Sequence, residues 1–340
     1  MDEFFPTGYL PLLALVGVLS FVLTGLMRLY GLSRQLIDRP NERSSHLVPT
    51  PRGGGVAIVV AFVIGMVLLG DAVSKSATSA LLVGGIGAAA IGFADDHGHI
   101  PARWRLMAHF FCAAWILFHI GIPRVELLGF HLDSGLAGTV LALLYLVWML
   151  NLCNFMDGID GIAGVEALTV GVGGAAACWV AGMPIGGDAG VPGLLAAAAL
   201  GFLVWNFPPA KIFMGDAGSG FLGLMLGALS LQAAIVNPAL LWSWMVLLGV
   251  FIVDATVTLI RRLLRGERIY EAHRSHAYQH ASREFGAHRP VTLAVAALNL
   301  FWLLPWAMAI ASGRVDGVVG LAIAYIPLLA LTLRFKAGTA

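Results

Sequence analysis

Charge is scarce in this chain. Of its 340 residues only 11% are Asp, Glu, Lys or Arg, against about 25% in soluble domains, and that deficit excludes a water-soluble globule. Cysteine is nearly absent too. Cys112, Cys153 and Cys178 sit in or beside apolar runs and form no recognisable pair. They read as small buried hydrophobes, with neither a disulfide framework nor a thiolate metal site. No Cys/His spacing points to zinc, and no internal repeat is evident. The opening Met-Asp-Glu lacks the basic stretch of a signal peptide. The first apolar run is therefore expected to stay as a membrane span.

What abounds is apolar sequence, 59% of the chain. Runs able to cross a hydrocarbon layer of about 30 Å fall at 9–29, 55–71, 78–93, 105–121, 136–153, 161–181, 192–206, 217–236, 239–260, 291–311 and 317–333. The runs at 78–93 and 192–206 are short and rich in Gly or Ala, which suits close helix packing. The expected fold is all-α and integral to the membrane, a polytopic bundle of about eleven spans forming one domain over residues 1–340. An odd number of crossings puts the termini on opposite sides. All of the 20 Lys and Arg residues except Lys75, Arg124 and Arg314 then share one side. The positive-inside rule makes that side cytoplasmic, with the N-terminus outside and the C-terminus inside.

The same count gathers the polar motifs on the cytoplasmic side. Between two apolar runs, Asn151-Leu-Cys-Asn154-Phe-Met-Asp157-Gly-Ile-Asp160-Gly places two amides and two carboxylates where they are costly unless something binds them. On an unbroken α-helix Asn151 and Asp160 would lie on opposite faces; a tighter turn, or a bend at Gly158 and Gly161, would let all four converge. Adjacent Asp95 and Asp96 repel each other and call for a cation or a shared proton, unless His97, Arg103 and Arg105 partly neutralise them. Asp216, in Phe-Met-Gly-Asp-Ala-Gly-Ser-Gly, reads either as a helix N-cap or as an acid where glycine lets backbone approach phosphate or metal. With a second carboxylate nearby it would suit Mg²⁺.

Two basic loops complete the set. The first runs from Asp38 through Asn41 and His46 to Pro51-Arg52-Gly-Gly-Gly; its Arg52 and glycine amides suit a phosphate, while anchoring of the span is the competing reading. The second, Arg261 to Pro290, carries His273, His276 and His280 at helical spacing and an arginine stripe of Arg261, Arg262, Arg265 and Arg268. Arginine and protonated histidine there would offset diphosphate charge; topology alone would also explain the arginines. Acidic residues Glu126, Asp133, Asp188 and Asp316 fall on the outer side and read as solvated. Asp254, about two turns from the inner end of its span, has no assignment.

In this order, the five motifs resemble the polyprenyl-phosphate N-acetylhexosamine-1-phosphate transferases, glycosyltransferase family 4. The shared parts are D-R-P-N-x-R-S-S-H-x-x-P-T-P-R-G-G-G, Asp95-Asp96, N-x-x-N-F-x-D-G-I-D-G, F-M-G-D-A-G-S and the terminal His loop. The resemblance implies Mg²⁺-dependent (or Mn²⁺-dependent) transfer of a sugar 1-phosphate from a UDP-N-acetyl sugar to undecaprenyl phosphate, in the bacterial inner membrane with a cytoplasmic active site. It implies Asp216 as metal ligand and Asp95 as the acid that deprotonates or positions the acceptor. Asp96, Asn154, Asp157 and Asp160 would line the nucleotide-sugar site, and His273 and His276 would face the diphosphate. Asn151, Arg52 and His46 complete the expected substrate-binding set. Membrane lipids are expected partners, nucleic acid is not, and a homodimer is admitted. One departure matters: the loop reads H-R-S-H where peptidoglycan members have consecutive histidines. That favours the O-antigen or common-antigen branch, with lipopolysaccharide precursors as the product class.

Two rivals remain at this stage. An ion-coupled carrier would place its acids near the membrane midplane, whereas these cluster at span ends. A CDP-alcohol phosphatidyltransferase continues D-G-x-x-A-R, but after Asp157-Gly158 this chain reads I-D-G-I.

Overall fold

The protein was analysed as a computed structural model that describes residues 8–40, 45, 46, 48–98, 100–127, 130–132, 135–267 and 273–339. Asn41, Asp133 and Arg268, named above, lie outside these, as does Arg43 of the first-loop motif. The helices in chain order are α1 Tyr9–Ser33, α2 Gly55–Leu69, α3 Lys75–His97, α4 Ala102–Ile120, α5 Leu136–Met156, α6 Ile162–Val180, α7 Val191–Asn206, α8 Asp216–Val236, α9 Ala239–Leu247, α10 Gly249–Leu264, α11 Ala277–Phe285, α12 His288–Leu298, α13 Leu304–Ala311 and α14 Gly317–Arg334. A π-helical segment, Asn299–Leu303, joins α12 to α13. Strands are confined to two short hairpins: β1 Ile37–Asp38 with β2 Thr50–Pro51, and β3 Val125–Leu127 with β4 Phe130–Leu132. The chain is an all-α polytopic membrane protein.

A helix lies at each of the eleven expected positions, with two differences of character. Among the described residues nine helical segments are long and apolar enough to cross a membrane. A tenth, predicted as one run at 239–260, is broken: α9 and α10 meet at 74° around Leu248. Periodicity in an apolar run does not report such a bend, because both halves remain hydrophobic. The helix α4 occupies the predicted fourth position but is not among the strongly apolar ones; it opens with Arg103 and Arg105.

At the centre stands α8, 83% buried along its span against 17% for α1. It packs on α3, α5 and α2, and its glycines permit the approach. A Cβ on Gly223 would meet the Met149 carbonyl at 2.2 Å, and one on Gly55 would meet the Gly218 Cα at 2.3 Å. Small residues bring backbones together where lipid supplies no hydrophobic drive between helices. The consequence for the site is direct. The C-terminal ends of α3 and α5 and the N-terminal ends of α2, α6 and α8 gather at one end of the bundle.

Candidate active site

At that end the first loop and the stretch before α8 are joined by backbone. The Phe213 amide donates to Pro51 O (2.8 Å), and the Gly54 and Gly55 amides donate to Phe213 O and Met214 O (2.9 Å each). Those two glycine amides are therefore committed to structure, and the expectation that they hold a phosphate is corrected for them. Arg52 reaches across to α3, donating from Nη2 to the Asp96 carbonyl (2.5 Å), with Nε 4.0 Å from its Oδ1. His46 sits edge-on against Phe213 at 4.8 Å. Its Nε2 is buried without a protein partner and the residue lines the cavity described next.

That cavity has a volume of about 280 Å³. Its walls carry the carboxylates of Asp38, Asp96, Asp157, Asp160 and Asp216, with Arg52, His46, His288, Asn154, Asn206, Ser219 and Gln279 among them. Asp95 and Asp96 part company here, because adjacent residues on a helix do not face each other. Asp95 accepts from the Ile100 amide (2.8 Å) and is paired with Arg105. Asp96, buried, takes the Asp216 amide on Oδ1 (3.2 Å) and the Ala217 amide on Oδ2 (3.3 Å). Glycine at the N-cap of α8 has no side chain to do this, so a carboxylate from α3 satisfies the first-turn donors and meets the positive end of the helix dipole. Gly215 adopts φ +77°, and a Cβ there would strike Asp96 Oδ2 at 2.6 Å. Only glycine fits.

Asp216 opens α8 and projects into the cavity. Asn154 donates to its Oδ1 (3.0 Å) and to Ser219 Oγ (3.0 Å), while Arg105 Nη1 lies 3.3 Å from its Oδ2. Arg105 thus bridges Asp95 and Asp216.

The stretch at 151–161 breaks where glycine allowed it to. Helix α5 ends at Met156, Gly161 takes φ +77°, and α6 begins at Ile162. Asn154, Asp157 and Asp160 converge on the cavity. Asn151 does not: still helical, it donates to the Val147 carbonyl one turn back (2.7 Å), and its place in the substrate-binding set is corrected accordingly. Asp160 is tied down by the Ala210 amide on Oδ2 (3.0 Å) and by His288, whose Nδ1 is 3.1 Å from Oδ1. Among the described residues the Asp157 carboxylate has no hydrogen-bond donor shown. Burial, reinforced by Asp216, Asp160 and Asp96, pushes its carboxyl well above the usual carboxylate range.

The histidine loop departs most from expectation. His273 precedes α11 and His276 is its N-cap, so the three histidines do not share a helical face. His276 is 1% exposed, with Nδ1 3.2 Å from Asp254 Oδ1. His273 stacks on it at 4.9 Å and is driven down to about 4 by burial, with His276 and Arg262 adding to the effect. A neutral imidazole offers no cation to a diphosphate. Neither ring lines the cavity; Gln279 and His288, which the sequence reading passed over, do. Arg105 was legible only as a neutralising neighbour, and Asp38 only as part of its motif. Nothing in the local sequence marks His288, Asn206 or Gln279.

The expected Mg²⁺ can be tested against this donor set. Among the described residues no three His, Cys, Asp or Glu side chains form a preformed cage. Mg²⁺ does not ask for one, since it keeps waters and uses one or two carboxylates beside substrate phosphates. Asp216, half-buried at the cavity, and the unpartnered Asp157, whose ionisation its acidic neighbours oppose, fit that demand.

Comparison with known proteins agrees with this architecture. Residues 78–234 match glycosyl transferase family 4. A probable undecaprenyl-phosphate N-acetylglucosaminyl 1-phosphate transferase of Bacillus subtilis is 30% identical over 285 residues, covering 81% of this chain and 77% of that protein. A decaprenyl-phosphate N-acetylglucosaminephosphotransferase of Mycolicibacterium smegmatis is 30% identical over 93% of this chain and 89% of its own length. A phospho-N-acetylmuramoyl-pentapeptide-transferase of Desulforapulum autotrophicum matches over only 24% of this chain. The chain belongs to glycosyl transferase family 4, among the polyprenyl-phosphate hexosamine-1-phosphate transferases. The general reaction is therefore a membrane phosphoglycosyl transfer, and the carrier and phosphatidyltransferase readings fall away.

Proposed function

We propose that this protein transfers an N-acetylhexosamine 1-phosphate from a UDP-sugar to undecaprenyl phosphate at the cytoplasmic face of the bacterial inner membrane, as the first step of O-antigen-type polysaccharide synthesis. The observation that carries the transfer chemistry is the single cavity on which Asp96, Asp157, Asp160, Asp216, Asn154 and Arg52 meet from separate stretches of chain. The names of the relatives support an N-acetylglucosamine donor, and the H-R-S-H loop supports the O-antigen branch over peptidoglycan.

In this reading an acceptor phosphate oxygen attacks the phosphorus that bears the sugar, a new P–O bond forms, and the P–O bond to UMP breaks. Asp216, with Asp157 beside it, would hold Mg²⁺, which when bound would supply charge neutralisation for the diphosphate. Phosphate monoesters have a second pKa of about 6, so the acceptor is largely a dianion at neutral pH and needs no strong base. Asp95 is already bound by Arg105 and the Ile100 amide. Its role is accordingly to hold Arg105 beside Asp216, from where the guanidinium would orient acceptor or donor phosphate. Asn154 fixes the Asp216 carboxylate, and Arg52 and His46 line the same cavity.

Purified protein supplied with UDP-N-acetylglucosamine, undecaprenyl phosphate and Mg²⁺ is expected to release UMP, and omitting any one should stop release. Release from no UDP-N-acetylhexosamine at all would overturn the proposal. Asp216→Asn should reduce turnover by at least about a thousandfold in protein that still elutes as a folded species. Near wild-type turnover at saturating Mg²⁺ would remove Asp216 from the metal site.

A further inference from the structure

Asp254 is an acid in the middle of α10, 4% exposed, and it does not line the active-site cavity. Its carboxylate is nonetheless fully engaged. Oδ1 accepts from the Ala277 amide (2.9 Å) and from Thr258 Oγ1 (3.1 Å) and lies 3.2 Å from His276 Nδ1; Oδ2 accepts from the Tyr278 amide (3.0 Å). The first turn of α11 is thereby fastened to α10. Next in this chain of contacts is Tyr278, buried at 4% exposure, its ring stacked on His276 at 5.5 Å.

The far end of Tyr278 touches the active-site loop. Its hydroxyl donates to the Phe155 carbonyl at 3.0 Å, one of the last carbonyls of α5, which have no partner within their own helix. Phe155 stands two residues before Asp157. A Cβ on Gly158 would lie 2.1 Å from the same hydroxyl oxygen, so that oxygen fills the space a side chain at 158 would need. One phenol thus meets the backbone on both sides of Asp157.

The geometry points to Tyr278 as a positioning residue for the donor-binding loop 157–161, with Asp254 as its anchor. The hydroxyl fixes where α5 ends, and its oxygen occupies the space a side chain at Gly158 would need. Together they set the direction in which the free carboxylate of Asp157 enters the cavity. The Asp254–His276 pair, which binds nothing in the cavity itself, serves to hold that phenol. This assignment rests on the transferase reading above, and it puts the C-terminal segment in mechanical contact with donor binding.

Tyr278→Phe keeps the ring and removes one hydrogen bond. In the full-length protein it should raise the KM for UDP-N-acetylglucosamine about fivefold and leave the KM for undecaprenyl phosphate unchanged. Gly158→Ala should lose more, because its methyl group meets the hydroxyl. The double variant Gly158→Ala with Tyr278→Phe should recover part of that loss, since the clashing oxygen is gone. Backbone amide exchange over residues 157–161 should quicken in Tyr278→Phe at an unchanged unfolding midpoint. Unaltered donor KM and unaltered exchange in Tyr278→Phe, or losses that simply multiply in the double variant, would overturn the assignment. Should the wild type release no UMP from UDP-N-acetylglucosamine, the donor reading fails, while the exchange comparison still decides the role of Tyr278.

Discussion

At the scale of single residues, the carboxylates of this protein divide by what they already hold. Asp96 is spent on the amides of α8, Asp160 on Ala210 and His288, and Asp254 on α11. Asp157, Asp216 and Asp38 also line the cavity, and of these Asp157 and Asp216 sit together at the end of α5 and the start of α8 with capacity for a ligand. Sequence spacing does not distinguish these fates, because an acid that caps a neighbouring helix and an acid that binds metal look alike in one dimension. The histidines divide in the same way. His273 is held near 4, below the ordinary value of about 6.5. The neutral ring is the form the fold favours, so this contribution to stability is present above about pH 6.5 and is lost as pH falls towards 4. Wild-type protein should therefore lose thermal stability more steeply across that window than His273→Gln. Parallel acid limbs for the two proteins would show that His273 titrates as it does in the unfolded chain.

At the scale of elements, glycine decides which helices can touch. Where α8 crosses α5, a Cβ on Gly223 would come within 2.2 Å of a backbone carbonyl that cannot move aside. Gly220, one turn away, would meet only Leu150 Cδ2 at 3.5 Å, an ordinary contact. Gly223→Val should then abolish recovery of a monodisperse species on size-exclusion chromatography, whereas Gly220→Ala should be recovered at wild-type yield. Equal recovery of both would show that α8 and α5 do not pack as described. The positions of these helices were legible from apolar runs, and so was the break near Gly158 and Gly161. The 74° bend between α9 and α10 was not, since hydrophobicity is continuous through it. Nor was the start of α11 at Ala277, which depends on a carboxylate 23 residues earlier in the chain.

At the scale of the whole molecule, the arrangement puts every cavity-lining acid at one end of the bundle. The distribution of Lys and Arg supports that end as the cytoplasmic one, with the N-terminus outside. In a background lacking the three native cysteines, Gly8→Cys should react with a membrane-impermeant maleimide added to intact cells, and Thr339→Cys should react only after permeabilisation. The reverse pattern would invert the topology and the placement of the site. Several things were determined by the sequence by itself: the membrane class, the positions of the apolar helices, and the five motifs that mark the family. These are local or additive properties, sums of hydropathy and charge that need no partner to be read. Only the tertiary structure decided which polar groups are satisfied and which are free. That sorting depends on residues far apart in the chain, such as Asp96 on α8 or Tyr278 on α5. A hydrogen bond needs its two groups within about 3 Å, a condition no linear spacing encodes.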